Sequence, residues 1–260
     1  MKKIISMLLC LVMLCTSLLL VACGEKDPEA LVNDSVVKMN ELDSYSAKMT
    51  TEIEMSMGGV TVEVPIIMDM KAEGLGTDDA KVYVKYNITM MGETQVMEIY
   101  MDNEYVYLSA DGEKMKMSIE SLGDEADQYK FDEGVQELLQ TLPADVLKDV
   151  EVVKDEDGNS VVEVNVDPAM FEQIYDKALD SMGEDYGELI GSIDVKNPKV
   201  KVVVNKKGYI VDYVMSFTMD MGVAGQDTSS EVVMKIEFDN PGKSVTVTPM
   251  EGYENYELVG

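Results

Sequence analysis

Few side chains in this sequence are equipped for chemistry, and their types narrow it quickly. The 260 residues hold three Cys, 50 acidic residues and 22 Met; all 21 basic residues are Lys, and His and Trp are absent. Without His there is no imidazole base for a Ser or Cys nucleophile and no imidazole metal ligand. Without Arg there is no bidentate clamp for phosphate or carboxylate. A formal charge of −29 leaves no electrostatic footprint for nucleic acid. Carboxylate pairs, Ser–Lys pairs and thiols remain. Nearly all Asp, Glu, Ser and Lys alternate with apolar residues, where the solvated side chains of strands belong. There is no Gly-rich phosphate loop or nucleophile elbow. The chain therefore reads as a non-enzyme without a cofactor. Asp155-Glu156-Asp157-Gly158-Asn159 has the acids of a calcium loop, but Gly158 at position 6 puts Val153 and Val164 where acids are required. It reads as a hairpin turn, and no metal site is expected.

The remaining reactive atom is the Cys23 thiol. Met1-Lys2-Lys3 precedes an apolar run from Ile4 to Leu20, broken only by Ser6, Thr16 and Ser17, and then Val21-Ala22-Cys23-Gly24. This is a signal-peptide layout. The Leu20-Val21-Ala22-Cys23 run resembles the bacterial lipobox, in which the signal is cut before the Cys and its thiol receives diacylglycerol. Cys10 and Cys15 leave with residues 1–22, so the mature chain has one thiol, occupied by lipid, and no disulfide. Losing Lys2 and Lys3 but no acid leaves 19 Lys against 50 acids, a formal charge of −31. Acyl chains, palmitate among them, would hold the protein on the extracytoplasmic face of the cell membrane. Residues 23–29 form the lipidated Cys and tether, and residues 30–260 a single domain. Gly24, where an inner-membrane retention Asp is absent, points to a Gram-positive source. The competing reading is an uncleaved helix, since about 20 apolar residues span a bilayer.

The elements that would surround any site follow from periodicity. Pro28 to Leu42 reads as a helix with Val32, Val36 and Met39 on one face. From Tyr45 the period becomes 2: Ala47, Met49, Thr51, Ile53, Met55 and Met57 alternate with polar residues, and Gly58-Gly59 turns the chain. Val60 to Met70 alternates likewise, with Pro65 arguing for an edge or bulge. Further strands are expected around Val82–Met90, Gln95–Met101, Tyr105–Leu108 and Met115–Ile119. Others are expected at Leu147–Val153, Val161–Val166, Val200–Val204, Val211–Met221, Val232–Phe238 and Val245–Val247. Helices are expected around Val135–Leu142 and from Pro168, with Phe171, Ile174, Ala178 and Met182 as a stripe. Gly222 to Gln226 reads as a loop, and Glu251 to Gly260 as a loosely ordered tail. The expectation is an α+β fold. A strongly curved antiparallel sheet of about ten strands, a half-barrel, closes around helices that cover its concave apolar face.

That layout resembles the LolA/LppX/LprG-like lipid-carrier lipoproteins and a related group of uncharacterised Gram-positive lipoproteins. The matching features are the lipobox at Cys23, the helix after it, Leu42-Asp43-Ser44-Tyr45 opening the first strand, Tyr105-Val106-Tyr107 before an Asp-Gly turn, the mid-chain helices and the closing Asn-Pro hairpin. Lys114, Met115 and Lys116 stand where many members carry a Trp. The resemblance implies a curved sheet enclosing an apolar cavity for acyl chains. The cavity would then be lined by Met55, Met57, Met68, Met70, Met97, Ile99, Met117, Leu138, Phe171, Met215, Phe217, Met219 and Met234. Flexible thioethers suit varied apolar partners. The reading is a monomeric carrier of a lipid or other apolar small molecule, touching the membrane through its anchor only. The alternative is an envelope interaction or scaffold lipoprotein with a filled core and no ligand.

Overall fold

A computed structural model describes residues 27–57, 60–90, 92–122, 146–147, 150–169, 190–223 and 226–259. Cys23, the signal segment, Leu138, Phe171, the whole helix expected around Val135–Leu142 and all but Pro168 and Ala169 of the one expected from Pro168 lie outside the described residues. The first helix is α1 (Pro28–Asn40). The Asp27 side chain caps it by accepting from the Ala30 N–H, and Pro28 starts it at the position where a missing N–H costs nothing. Strands follow as β1 (Ser44–Met57), β2 (Val60–Glu73), β3 (Lys81–Met90), β4 (Glu93–Met101), β5 (Tyr105–Ala110) and β6 (Glu113–Ser118). After the short α2 (Ile119–Leu122) come β7 (Val153–Lys154), β8 (Ser160–Asn165), β9 (Ile190–Val204), β10 (Ile210–Val223), β11 (Gln226–Phe238) and β12 (Glu257–Leu258). Every described element lies between Pro28 and Leu258.

The strands form one 12-stranded sheet in the order β12-β6-β5-β4-β3-β2-β1-β11-β10-β9-β8-β7. Neighbours are antiparallel except β12 on β6. Pairing of β1 with β11 joins the first and last thirds of the chain at mid-sheet. The five longest strands, β1, β2, β9, β10 and β11, run 13 to 15 residues and outreach the rest as an arm. The expected closure of the curl does not occur. The sheet is open, because its edge strands β7 and β12 are two residues long and offer no ladder to each other. The described protein is mostly β rather than α+β. Its described helices are α1 and the four-residue α2, and a helical layer covering the sheet is not among the described residues.

The period-2 face is real throughout. One row of cross-strand partners runs Ala110, Met97, Tyr86, Met68, Met49, Ile236, Tyr213, Val202, Val162. The core gathers on this inner face, where Leu31, Val32, Val36 and Met39 of α1 meet Tyr45, Ala47, Met70, Val84, Tyr213 and Phe238. Lys38, in the last turn of α1, donates to the Lys207 carbonyl and sits 4.8 Å above the Tyr209 ring, which fixes the helix to the β9–β10 turn. On the outer face the row beside it carries Lys114, Ser109, Glu98, Lys85, Asp69, Lys48, Glu237 and Asp212, so neighbouring charges mostly alternate in sign.

Pro65 does sit at an edge position, though within an interior strand and without a bulge. The β1–β2 ladder is unbroken, but β3 pairs only as far as Ile66, so Pro65 falls where β2 has a single neighbour. Several expectations are corrected. Of the strand expected at Leu147 to Val153, the described residues place only Val153 in a ladder, as the first residue of β7; Val146 and Leu147 form a turn, and Leu147 is fully buried in the inner core instead of pairing. The strand expected at Val200 begins at Ile190. β10 and β11 extend to Val223 and from Gln226, which shortens the expected loop. Val245 to Val247 joins no ladder; the Val245 N–H donates to Ser44 Oγ and the Val247 N–H to Glu73 Oε2. The tail is ordered. Residues 239–259 cross the outer face, turn at the 3-10 segment Tyr253–Asn255 and end in β12 beside β6.

Candidate functional site

The inner face is built by β-alternation alone, and it sorts the expected lining residues onto one side. Met68 opposes Met49 and Tyr86; Met97 opposes Tyr86; Met215 opposes Met234 and Val200. Met70 pairs with Ala47 and Val84, and Ile99 with Val84 and Leu108. Met117 pairs with Val106, Phe217 with Val232, Met55 with Val62 and Ser230, and Met219 with Ser230 and Val195. Met57 holds the same register opposite Val60. Met70, Met215, Met68, Phe217 and Met234 share the main core cluster with α1, whereas Met55, Met97, Ile99, Met117 and Met219 lie on the same face outside it.

Exposure along this face is graded. Tyr45, Ala47, Ala72, Val82 and Val84 are buried near α1. Met49, Ile53, Met55, Ile66, Met68, Met97, Met117 and Met234 are half-buried. The surroundings are apolar enough that burial pushes the Tyr86 phenol up to about 12. Through β1, β2, β9, β10 and β11 no inward position in the paired register is charged. Two hydroxyls on this face escaped the sequence reading. Thr228 and Ser230 are 3% and 1% exposed, and neither Thr228 Oγ1 nor Ser230 Oγ has a hydrogen-bond partner among the described residues. Small hydroxyl residues breaking an apolar alternation were the available signal.

The outer face offers different chemistry. A groove of about 760 Å³ is lined by Lys48, Asp69, Lys71, Tyr83, Asp212 and Asp239, among others. Burial raises the Asp212 carboxyl, against the pull of Lys235. The Tyr83 hydroxyl donates to Glu98 at 2.5 Å, and burial, then Glu98, holds its phenol above the usual range. Cations and anions alternate here, as Lys48 opposite Asp69 and Glu237 shows. Beside the groove lies a second apolar cluster that the sequence reading missed: Tyr100, Tyr107, Val247, Met250 and Tyr256, with Tyr83, Tyr105 and Tyr253 packed against it. Outward Tyr on consecutive strands, with Tyr253 and Tyr256 in the tail, was the signal. The Asp155–Asn159 segment is a turn as expected, with the Asn159 N–H and side-chain amide donating to the Asp155 carboxylate. Among the described residues no group of three or more Asp, Glu, His or Cys is placed to share a metal, and no helix is long and apolar enough to cross a membrane.

Among solved structures, the fold is similar to LprF from Mycobacterium bovis, with 12% identity and a TM-score of 0.43 over 86% of this chain and 97% of that one. It is similar to a DUF1329 family protein from Desulfovibrio piger, with 11% identity and a TM-score of 0.26 over 84% and 96% of the two chains. A Vibrio parahaemolyticus protein described as an outer membrane lipoprotein-sorting domain aligns at 12% identity and a TM-score of 0.25, over 82% and 92%. No curated protein matches the sequence. The profile of a family of unknown function, DUF6612, matches residues 27–248, which take in α1 and every strand from β1 to β11, and the chain belongs to that family.

Proposed function

We propose that this chain is a lipoprotein, anchored through Cys23 at the extracytoplasmic face of the cell membrane, that binds a lipid or other apolar ligand on its inner face. The observation that carries the reading is the graded inner face: uncharged in register across five long strands, rich in Met, and left half-buried rather than packed shut. Covering such a surface is favourable in itself, at about 2.5 kcal/mol per 100 Å² of apolar area removed from water. Thioethers let one surface fit chains of different shape. No proton transfer or bond cleavage is required. The outer face, with its alternating charges, keeps the body soluble and is repelled by anionic headgroups over about a Debye length of 8 Å.

The test is to produce residues 24–260, which hold every described element, and extract the purified protein for mass spectrometry. Co-purifying acyl lipid at near one equivalent is the expected result. A lipid-free protein whose experimental structure shows a filled interior would replace the carrier with an envelope scaffold.

A further inference from the structure

We infer that the buried polar contact of the ligand is an uncharged acyl ester, held by the hydroxyls of Thr228 and Ser230. The inference rests on the apolar-ligand reading above and names the class of ligand. Both side chains point to the inner face of β11, where Ser230 opposes Met55 of β1 and Met219 of β10, and Thr228 opposes Met221. They are 3% and 1% exposed, and neither hydroxyl oxygen finds a partner among the described residues. Buried hydroxyls almost always are hydrogen-bonded, because leaving one unpaired forfeits its solvation without return. Two such groups side by side, among Met and Val, are costly to the empty protein. They become useful once an acceptor reaches them.

The neighbourhood selects that acceptor. A carboxylate or phosphate brought here would lose its hydration with no counter-charge, since no inward position in register on β1, β2, β9, β10 or β11 is Lys. A pure hydrocarbon would leave both hydroxyls unpaired. A neutral carbonyl satisfies both conditions. Positions two apart on a strand present their side chains about 7 Å from each other, so the two hydroxyls address two separate oxygens. A polyol carrying acyl esters on neighbouring carbons offers such a pair, with its chains running along the Met rows.

The test uses residues 24–260 and three probes: a pyrene-labelled diacylglycerol, the diether of the same chains, and the matching fatty acid at pH 8. The diester should bind about tenfold more tightly than the diether, as expected for one or two buried hydrogen bonds. Thr228→Val with Ser230→Ala should remove that preference by weakening diester binding, and Thr228→Ser should keep it. The double variant should melt no lower than the parent, because it deletes unsatisfied groups. Equal affinity for diester and diether, a fatty acid anion bound as tightly as the diester, or a clear loss of melting temperature would each overturn the ester contact and leave apolar binding standing. Binding of none of the probes would overturn both.

Discussion

The sheet carries two apolar clusters, one on each face, and they are made of different materials. The inner cluster is aliphatic and thioether, closed at the α1 end and half-buried beyond it. The outer cluster is largely Tyr. Tyr107 and Tyr253 meet edge-on at 5.0 Å, Tyr100 and Tyr253 at 5.4 Å, and Tyr107 and Tyr256 at 6.2 Å. Lys116 lies over Tyr105, and Lys114 over Tyr256. Aromatic rings have few rotamers and defined edge-to-face geometry, so such a cluster holds one arrangement. Thioethers have many rotamers and hold none strongly. The outer face is built to fix its own chain, and the inner face to accommodate something else.

The largest effect that could break this contrast is Tyr100→Ala. Tyr100 is 2% exposed at the centre of the ring cluster, so truncation should cost about 3–5 kcal/mol in urea unfolding. A loss below about 1 kcal/mol would mean the ring cluster is no more specific than the Met face. Alkaline titration sharpens the same point. Burial pushes the Tyr107 phenol up to about 12 and moves Tyr100 in the same direction, while in the unfolded chain both ionise near 10. The folded form thus binds more protons in that window, and stability should be intact below pH 10 and fall as pH rises toward 12. A tyrosinate absorbance step coinciding with loss of structure is the expected signature.

Next in size is the tie that holds the crossing segment. The Val247 N–H donates to Glu73 Oε2 at 3.0 Å, and this hydrogen bond, opposed by burial and helped by Lys81, keeps the Glu73 carboxyl below its usual range. A depressed carboxyl contributes stability above its unfolded value of 4.5 that is lost as pH falls through the folded value. Glu73→Ala should cost about 1.5–3 kcal/mol at pH 7, and the variant should show a flatter acid limb in denaturation between pH 5 and 3. The smallest effect belongs to the Met face. Replacing Met49, Met68 and Met234 each by Leu should cost less than about 1.5 kcal/mol apiece, because volume is conserved. The same variant should bind a narrower set of chain lengths in a lipid displacement assay. A large loss of stability there would make the inner face a packed core.

The strand framework was legible because one face of each strand is apolar and period 2 needs no tertiary information, as at Ala47 to Met55. α1 was legible from Pro28 and its Val32, Val36, Met39 stripe. β9 was half-missed because its alternation breaks. Asn197 has φ 52°, Pro198 is buried, and the register to β10 shifts between Ser216 and Thr218, so Ile190 to Lys196 does not continue the pattern of Val200 to Val204. β12 was missed because two residues carry no period, and the Tyr cluster because its partners lie far apart in sequence. Of the candidate site, the Met positions follow from alternation. The isolation of the Thr228 and Ser230 hydroxyls does not, since only packing decides whether a buried hydroxyl finds a partner.

The pairing of β12 with β6 also orders events in time. Glu257 lies beside Met115, so this edge of the sheet is covered by a strand that follows all the others in the chain. A chain emerging from its N-terminal end can assemble β1 to β6 as a meander of local contacts, but β6 then presents bare backbone N–H and C=O groups until residues 239–259 arrive. During that interval the exposed edge is open to pairing with another chain, and the Tyr cluster that draws the crossing segment into place ends the interval.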